Sequence, residues 1–246
     1  QIYQNAEEFY RAENGHAIGY FWGYKTAGLF QNQKEINDWI AAGNGIYQAD
    51  VKPGDVKYVD VNHDGVINAS DKVDLGNGLP KYTFGFNFSL AWKGFDLSAN
   101  FTGAAGFQIA QSYRDPSSSQ ANYSRRILKR WTGEGTSNEI PRVTYGDVGN
   151  WLFSDLYLQD GDYIRLQNLT MGYDFKKLIS WKGLSKMRLY FQVQNLFTLT
   201  KYDGMDPEIG SFNGTDGNSS DSWVSGVDMG YYPHPRTFIV GLNLAF

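Results

Sequence analysis

The chain has 246 residues, 41% of them hydrophobic and 20% charged, with a net charge of -4 and no cysteine. The missing cysteines exclude disulfides and thiolate metal centres, and the acidic balance lacks the basic footprint of nucleic-acid binding, so no nucleic-acid partner is expected. No apolar run approaches the ~20 residues of a spanning helix, while the mean hydropathy of -0.46 suits a soluble β domain or a spanning barrel, half of whose strand residues face water.

In chain order, Gln1 to Tyr10 carry neither a basic start nor an apolar core, so an export signal is expected upstream. Ile18 to Phe30, rich in Tyr, Phe and Trp, reads as a strand with weak alternation, and Gln33–Ala42 as a short helix. The helix lies in a long connection, residues 31–79, that also holds the chain's one chemical motif, residues 60–71. Asp60, Asn62 and Asp64 fall at positions 1, 3 and 5 of an EF-hand-type calcium loop, with Gly65 at the sharp turn, the Val66 carbonyl at position 7 and Asn68 at position 9. Asp71 stands where a bidentate Glu is usual, and its shorter side chain reaches less far. The competing reading is an Asx-rich surface turn. The spacing favours Ca2+ held by Asp60, Asn62, Asp64, Val66, Asn68 and Asp71. No long helices flank the loop on both sides, so its role would be to stiffen the connection, not to switch.

Tyr82 to Trp92 alternate strictly. Tyr82, Phe84, Phe86, Phe88, Leu90 and Trp92 share one face, and Thr83, Gly85, Asn87, Ser89 and Ala91 the other. A turn at Lys93-Gly94 leads into Phe95, Leu97, Ala99 and Phe101, alternating with Asp96, Ser98, Asn100 and Thr102. This is a hairpin with one greasy face and one hydrophilic face. A soluble sandwich would cover the greasy face with a second sheet; lipid needs no cover. Further strands are expected at about Asp162–Phe175 and Met187–Thr200. In the first, Ile164 and Leu166 are out of phase with Leu169, Met171 and Tyr173, which a bulge near Gln167-Asn168 would explain. Thr237 to Phe246 alternate once more, with Phe238, Val240, Leu242, Leu244 and Phe246 on one face. That run matches the ~9–11 residues of a tilted spanning strand and reads as the closing strand of an outer-membrane β-barrel.

Tight turns alternate with long connections at about 31–79, 110–160 and 201–235, the arrangement of short periplasmic turns and long extracellular loops. A second short helix is expected at Gln120–Trp131, carrying Arg125, Arg126, Lys129 and Arg130. The Asn-x-Ser/Thr triplets at Asn87, Asn100 and Asn168 sit in predicted strands and read as polar ladder residues, not glycan acceptors. No catalytic constellation is found. His16, His63 and His234 are scattered, and carboxylates such as Asp155, Asp160, Asp203, Asp206 and Glu208 are the usual solvated loop groups, so the chain is not expected to be an enzyme. Trp151, Tyr157, Tyr202, Trp223, Tyr231 and Tyr232 suit packing more than sugar stacking.

A set of ordered segments resembles the SusC-like TonB-dependent outer-membrane transporters of Bacteroidota. Gly15 to Gln31 reads GHAIGYFWGYKTAGLFQ, with Ala17 where the family has Pro and Ala27 where it has Asp. Pro53 to Gly65, Arg130-Trp131-Thr132 with Pro141-Arg142, Asp162 to Tyr173, Asn195 to Tyr202, Asp206-Pro207-Glu208 and Tyr232 to Phe238 match in turn, so the resemblance covers nearly the whole chain. It implies a barrel of about 22 strands, a size whose lumen carries a plug, with this chain supplying roughly the last five or six. The plug, the rest of the wall and the TonB-contacting N-terminal part would lie outside this sequence. It further implies a SusD-like surface lipoprotein as partner, an oligosaccharide or peptide as cargo, and a multi-pass bacterial outer-membrane location. The expected class is thus an all-β transmembrane antiparallel β-barrel with long extracellular loops. The rival is a soluble calcium-dependent glycan-binding β-sandwich. Neither substrate nor substrate-contacting residues are legible.

Overall fold

The computed structural model describes residues 10–111, 125–144, 149–179, 181–210, 225–228 and 230–246. In order these form β1 (Tyr10–Arg11), β2 (Tyr20–Tyr24), β3 (Thr26–Leu29), α1 (Gln33–Ala41), β4 (Val56–Tyr58), β5 (Lys72–Asn77), β6 (Tyr82–Trp92) and β7 (Phe95–Ala105). Then follow β8 (Gln108–Gln111), β9 (Leu158–Asp160), β10 (Tyr163–Asp174), β11 (Lys186–Thr200), β12 (Val227–Asp228) and β13 (Thr237–Ala245), with short 3-10 turns between them. Among the described residues no helix is long and apolar enough to cross a membrane, which says nothing of strands. The chain divides into two compact units, one of residues 79–107, 160–208 and 231–246, the other of residues 1–78, 108–159 and 209–230.

The first unit is a wall of five antiparallel strands in the order β13-β11-β10-β7-β6. Its hairpin turn places both Lys93 (φ 47°) and Gly94 (φ 95°) in the left-handed region. Two such residues make the turn whose twist matches the flanking strands. Register follows from alternation. Phe86 pairs with Phe101, and Asn87 with Asn100. Asn100 in turn faces Asn168, Asn168 faces Gln194, and Gln194 faces Thr237. The three Asn triplets therefore lie in one row across the polar face, as ladder residues. The bulge is present and widens across the wall. Asn100 and Phe101 are neighbours, but their partners on β10, Asn168 and Leu166, are separated by Gln167. On β11 the matching residues, Gln194 and Phe197, have two residues between them, one of them Asn195 at φ 52°. This restores Leu166 to the face of Phe101.

Among the described residues no second layer covers the greasy face. Phe86 is 58% exposed and Val240 72%, and Tyr82, Phe88, Leu90, Trp92, Met171, Leu189, Phe238 and Leu242 are exposed with them. An apolar surface of this extent is not what a water-soluble sandwich leaves uncovered. Among the described residues, the edge strands β6 and β13 each pair on one side only.

The second unit buries its apolar residues in the ordinary way. Its sheets are β1-β2-β5, β12-β8-β9 and β3-β4. Tyr10, Phe21, Ala110, Phe153 and Val227 form one core, and Tyr24, Leu29, Val56, Tyr58 and Ile67 another. Helix α1 starts where Asn32 accepts the Glu35 N–H at 2.9 Å and Glu35 accepts the Gln31 N–H at 2.6 Å, with Ile36 buried beneath it. The stretch Ile18–Phe30 differs from the sequence reading. It is not one strand but two, broken at Lys25, and β2 and β3 join separate small sheets. In β2 residues of both faces are buried, and this accounts for the weak alternation there. The helix expected at Gln120–Trp131 lies partly outside the described residues; within them, Arg125–Lys129 form a 3-10 turn.

Candidate functional site

The sequence-predicted calcium loop connects β4 to β5, so strands and not helices flank it. Left-handed His63 (φ 58°) and Gly65 (φ 82°) curl the backbone. Asp60 accepts the Gly65 N–H at 2.7 Å and the Asp64 N–H at 3.3 Å, and Asn62 Oδ1 accepts the Asp64 N–H at 3.0 Å. Asn62 Nδ2 donates to Asp64 at 2.9 Å. Asp71 closes the loop, taking the Val61 N–H at 2.9 Å and the Asn68 N–H at 2.8 Å, while Asn68 caps the following turn by accepting the Ser70 N–H. Burial by itself raises the Asp60 carboxyl, but the N–H groups of Gly65, His63 and Asp64 outweigh it and hold the group below the ordinary aspartate value. Ile67 anchors the loop in the core beside Tyr58. The donors are all hard oxygens, the set calcium prefers. The carboxylates of Asp60, Asp64 and Asp71 are bound to backbone N–H groups and are not gathered within 4.8 Å of one another.

The one such gathering among the described residues is Asp206, Glu208 and His234, and it was not foreseen as a site. Arg165 of β10 lies at its centre, 3% exposed, facing Asp206 at 7%. Its guanidinium donates to Asp206 at 2.5 Å, to Glu208 at 2.7 Å and, through Nε, to Thr198 Oγ1 at 2.9 Å. Asp206 also accepts the Glu208 N–H at 2.9 Å and the His234 N–H at 3.1 Å, and its Oδ2 lies 3.0 Å from His234 Nδ1. Asp206 Oδ1 is occupied by Arg165 and the Glu208 N–H and its Oδ2 by the His234 N–H, and a cation already stands among the carboxylates. The cluster is a satisfied ion-pair network, not a vacant metal centre. Burial pushes the Asp206 carboxyl up, but the Glu208 and His234 N–H groups, the imidazole and the guanidinium together hold it below its ordinary value.

A second ionic pair lies on the same polar face. Arg188 reaches across β10 to Asp96, with Nε donating at 2.8 Å and Nη2 making a second bond. It passes over Gly172, where a Cβ would come within 2.6 Å of the Asp96 carboxylate and 2.5 Å of the Arg188 guanidinium. Between the two ionic clusters the face presents Asn87, Asn100, Asn168 and Gln194 in one row and Ser89, Ser98, Thr170 and Gln192 in the next. The other candidates are committed locally. Asp155 accepts the Thr26 N–H at 3.1 Å and its hydroxyl at 2.6 Å, Asp160 accepts the Asp162 N–H, and His16 pairs with Asp74 at 2.9 Å. Tyr157 donates to the Asn150 carbonyl at 2.5 Å and Tyr202 is buried, whereas Tyr232 is exposed. Trp223 lies outside the described residues.

No family model matches the chain. In fold, the chain overlays part of the RagAB peptide importer in its open-open state with a TM-score of 0.63 at 20% identity, covering 96% of this chain and 24% of that one. In sequence it is 34% identical over 234 residues to TonB-dependent receptor P3 of Formosa agariphila, covering 94% of this chain and 22% of that protein. It is 29% identical over 205 residues to TonB-dependent receptor SusC of Bacteroides thetaiotaomicron, 82% of this chain and 18% of that protein. Over most of its length the chain is thus similar to part of the TonB-dependent receptors, SusC among them. It spans about a quarter of their length or less. These relatives are receptors and an importer, not enzymes.

Proposed function

We propose that the chain forms part of the membrane-spanning wall, with outer loops, of a nutrient importer in the bacterial outer membrane. The observation that carries this reading is the uncovered apolar face of β6, β7, β10, β11 and β13 opposite a face of Asn, Gln, Ser and Thr. In the hydrocarbon region every backbone group must be paired, so the free sides of β6 and β13 require further wall strands. Those strands, the plug and the TonB-contacting part belong to the remainder of the longer protein. A SusD-like surface lipoprotein is the proposed partner, and an oligosaccharide or a peptide the cargo. Deleting the gene and comparing growth on panels of both nutrients tests this. Loss of growth on at least one, restored by the intact gene, is expected; identical growth on all would refute import.

We further propose that Ca2+ binds the loop of Asp60, Asn62, Asp64, Val66, Asn68 and Asp71 and stiffens the connection between β4 and β5. The oxygen-only donor set and the two left-handed residues support it. In the full transporter, calcium should slow protease cleavage near residue 64 by several-fold over a chelator-treated sample, and Asp64→Ala should abolish that difference. Equal cleavage of the parent with and without calcium would rule the site out.

A further inference from the structure

Three segments that are far apart in sequence meet on Arg165, and each is built to do so. Arg165 lies opposite Thr102 of β7 and Thr198 of β11, which places it on the polar face of the wall. Its Nε bond to Thr198 fixes the plane of the guanidinium. The two remaining nitrogens point at residues beyond the strand ends, Asp206 and Glu208 after β11 and His234 before β13. Proline stiffens both stems: Pro207 separates the two carboxylates, and Pro233 and Pro235 flank the imidazole. The second stem has its own tie to the wall, the 3.1 Å bond from Asn195 Nδ2 to the Pro235 carbonyl.

We infer that Arg165 is a positioning residue for transport: it draws both stems, residues 206–208 and 232–234, over the polar face of the wall, where they border the path of the solute. The inference rests on reading that face as the lumen side. Only a planar fork of donors can serve Thr198, Asp206 and Glu208 at once; a lysine ammonium is a point charge without that geometry. The stems come from opposite ends of a long connection; the Asp206–His234 contacts join them to each other, and the fork joins the pair to β10.

The test uses the full transporter in lipid bilayers with spin labels at Met205→Cys and Tyr232→Cys. This chain has no native cysteine, and both positions are exposed, so the labels disturb neither stem. The parent should give one narrow inter-label distance. Arg165→Met should at least double its width, and Arg165→Lys should fall between the two. Arg188→Met, which breaks the other ionic pair of the face, should leave the distance unchanged. Glu208→Gln takes the charge from one acceptor of the fork at a half-exposed position and serves if Arg165→Met fails to assemble; it should broaden the distribution by a smaller factor. A width unchanged in a folded Arg165→Met or Glu208→Gln protein overturns the inference, and so does equal broadening by Arg188→Met. Labels at Asn100 and Phe101 separate this from the barrel reading. If Asn100 proves to be the lipid-facing one of the two, the lumen assignment fails, whatever the stems do.

Discussion

The two units of this chain use the same aromatic-rich vocabulary to opposite ends. In the multi-sheet unit, Phe21, Phe30, Tyr20 and Leu29 are sealed from solvent, and polar side chains cap, pair and turn around them. In the wall, Phe86, Trp92, Phe238 and Val240 stand in the open, while the ion pairs of Arg165 and Arg188 lie on the other face. Burial is the cost-free state for apolar groups only relative to water. A protein that hides one set of phenylalanines and displays another is adapted to two solvents.

The largest expected effect lies on the buried side of this contrast. Phe21→Ala should destabilise the multi-sheet unit by about 3–5 kcal/mol, seen as faster proteolysis of residues 1–78 in the assembled transporter, with barrel assembly unaffected. Were barrel assembly lost instead, the two units would not be energetically separate. Next is a charge on the displayed face. Phe86→Arg should cost assembly about 2–4 kcal/mol if the site lies near the membrane midplane, measured as the fraction of folded, heat-modifiable barrel. Its neighbour Asn87→Arg, on the polar face, should cost far less; equal penalties would mean that both faces meet the same medium. Removing the α1 cap by Asn32→Ala should lower the stability of the multi-sheet unit by about 1 kcal/mol, readable as a modest rise in hydrogen exchange of residues 33–41. The smallest effect is pH-dependent. The folded-state pKa of Asp206 is depressed, so its contribution is present above the ordinary aspartate value of about 3.9 and is lost as pH falls through the lower folded value. The Met205–Tyr232 distance should therefore hold at pH 5 and widen only in stronger acid; widening already between pH 7 and 5 would contradict the assignment to Asp206.

The wall was legible because strands with one apolar and one polar face alternate with period two. The alternation of Tyr82 to Trp92 corresponds residue for residue to β6, and the phase conflict between Leu166 and Leu169 marked the bulge. The stretch Ile18–Phe30 was misread because β2 is buried on both faces, leaving no alternation to reveal the break at Lys25. The calcium-type loop could be proposed because its donors are contiguous. The Arg165 cluster could not, since its partners lie at residues 198, 206, 208 and 234 and no local pattern records that they meet. Only their separate appearance in motif-like segments, one split by Pro207 and one bracketed by Pro233 and Pro235, hinted at a shared role.

The central claim is that one face of this wall meets acyl chains and the other a watery passage. Single spin labels walked from Phe84 to Phe88 and from Phe238 to Leu242 in the membrane-embedded transporter test it directly, through collision with lipid-soluble oxygen and with a water-soluble nickel complex. Oxygen contact should peak at Phe84, Phe86, Phe88, Phe238, Val240 and Leu242 and fall at the residues between them. Low contact with both probes at the Phe and Val positions would mean that protein covers that face, and the account would be wrong.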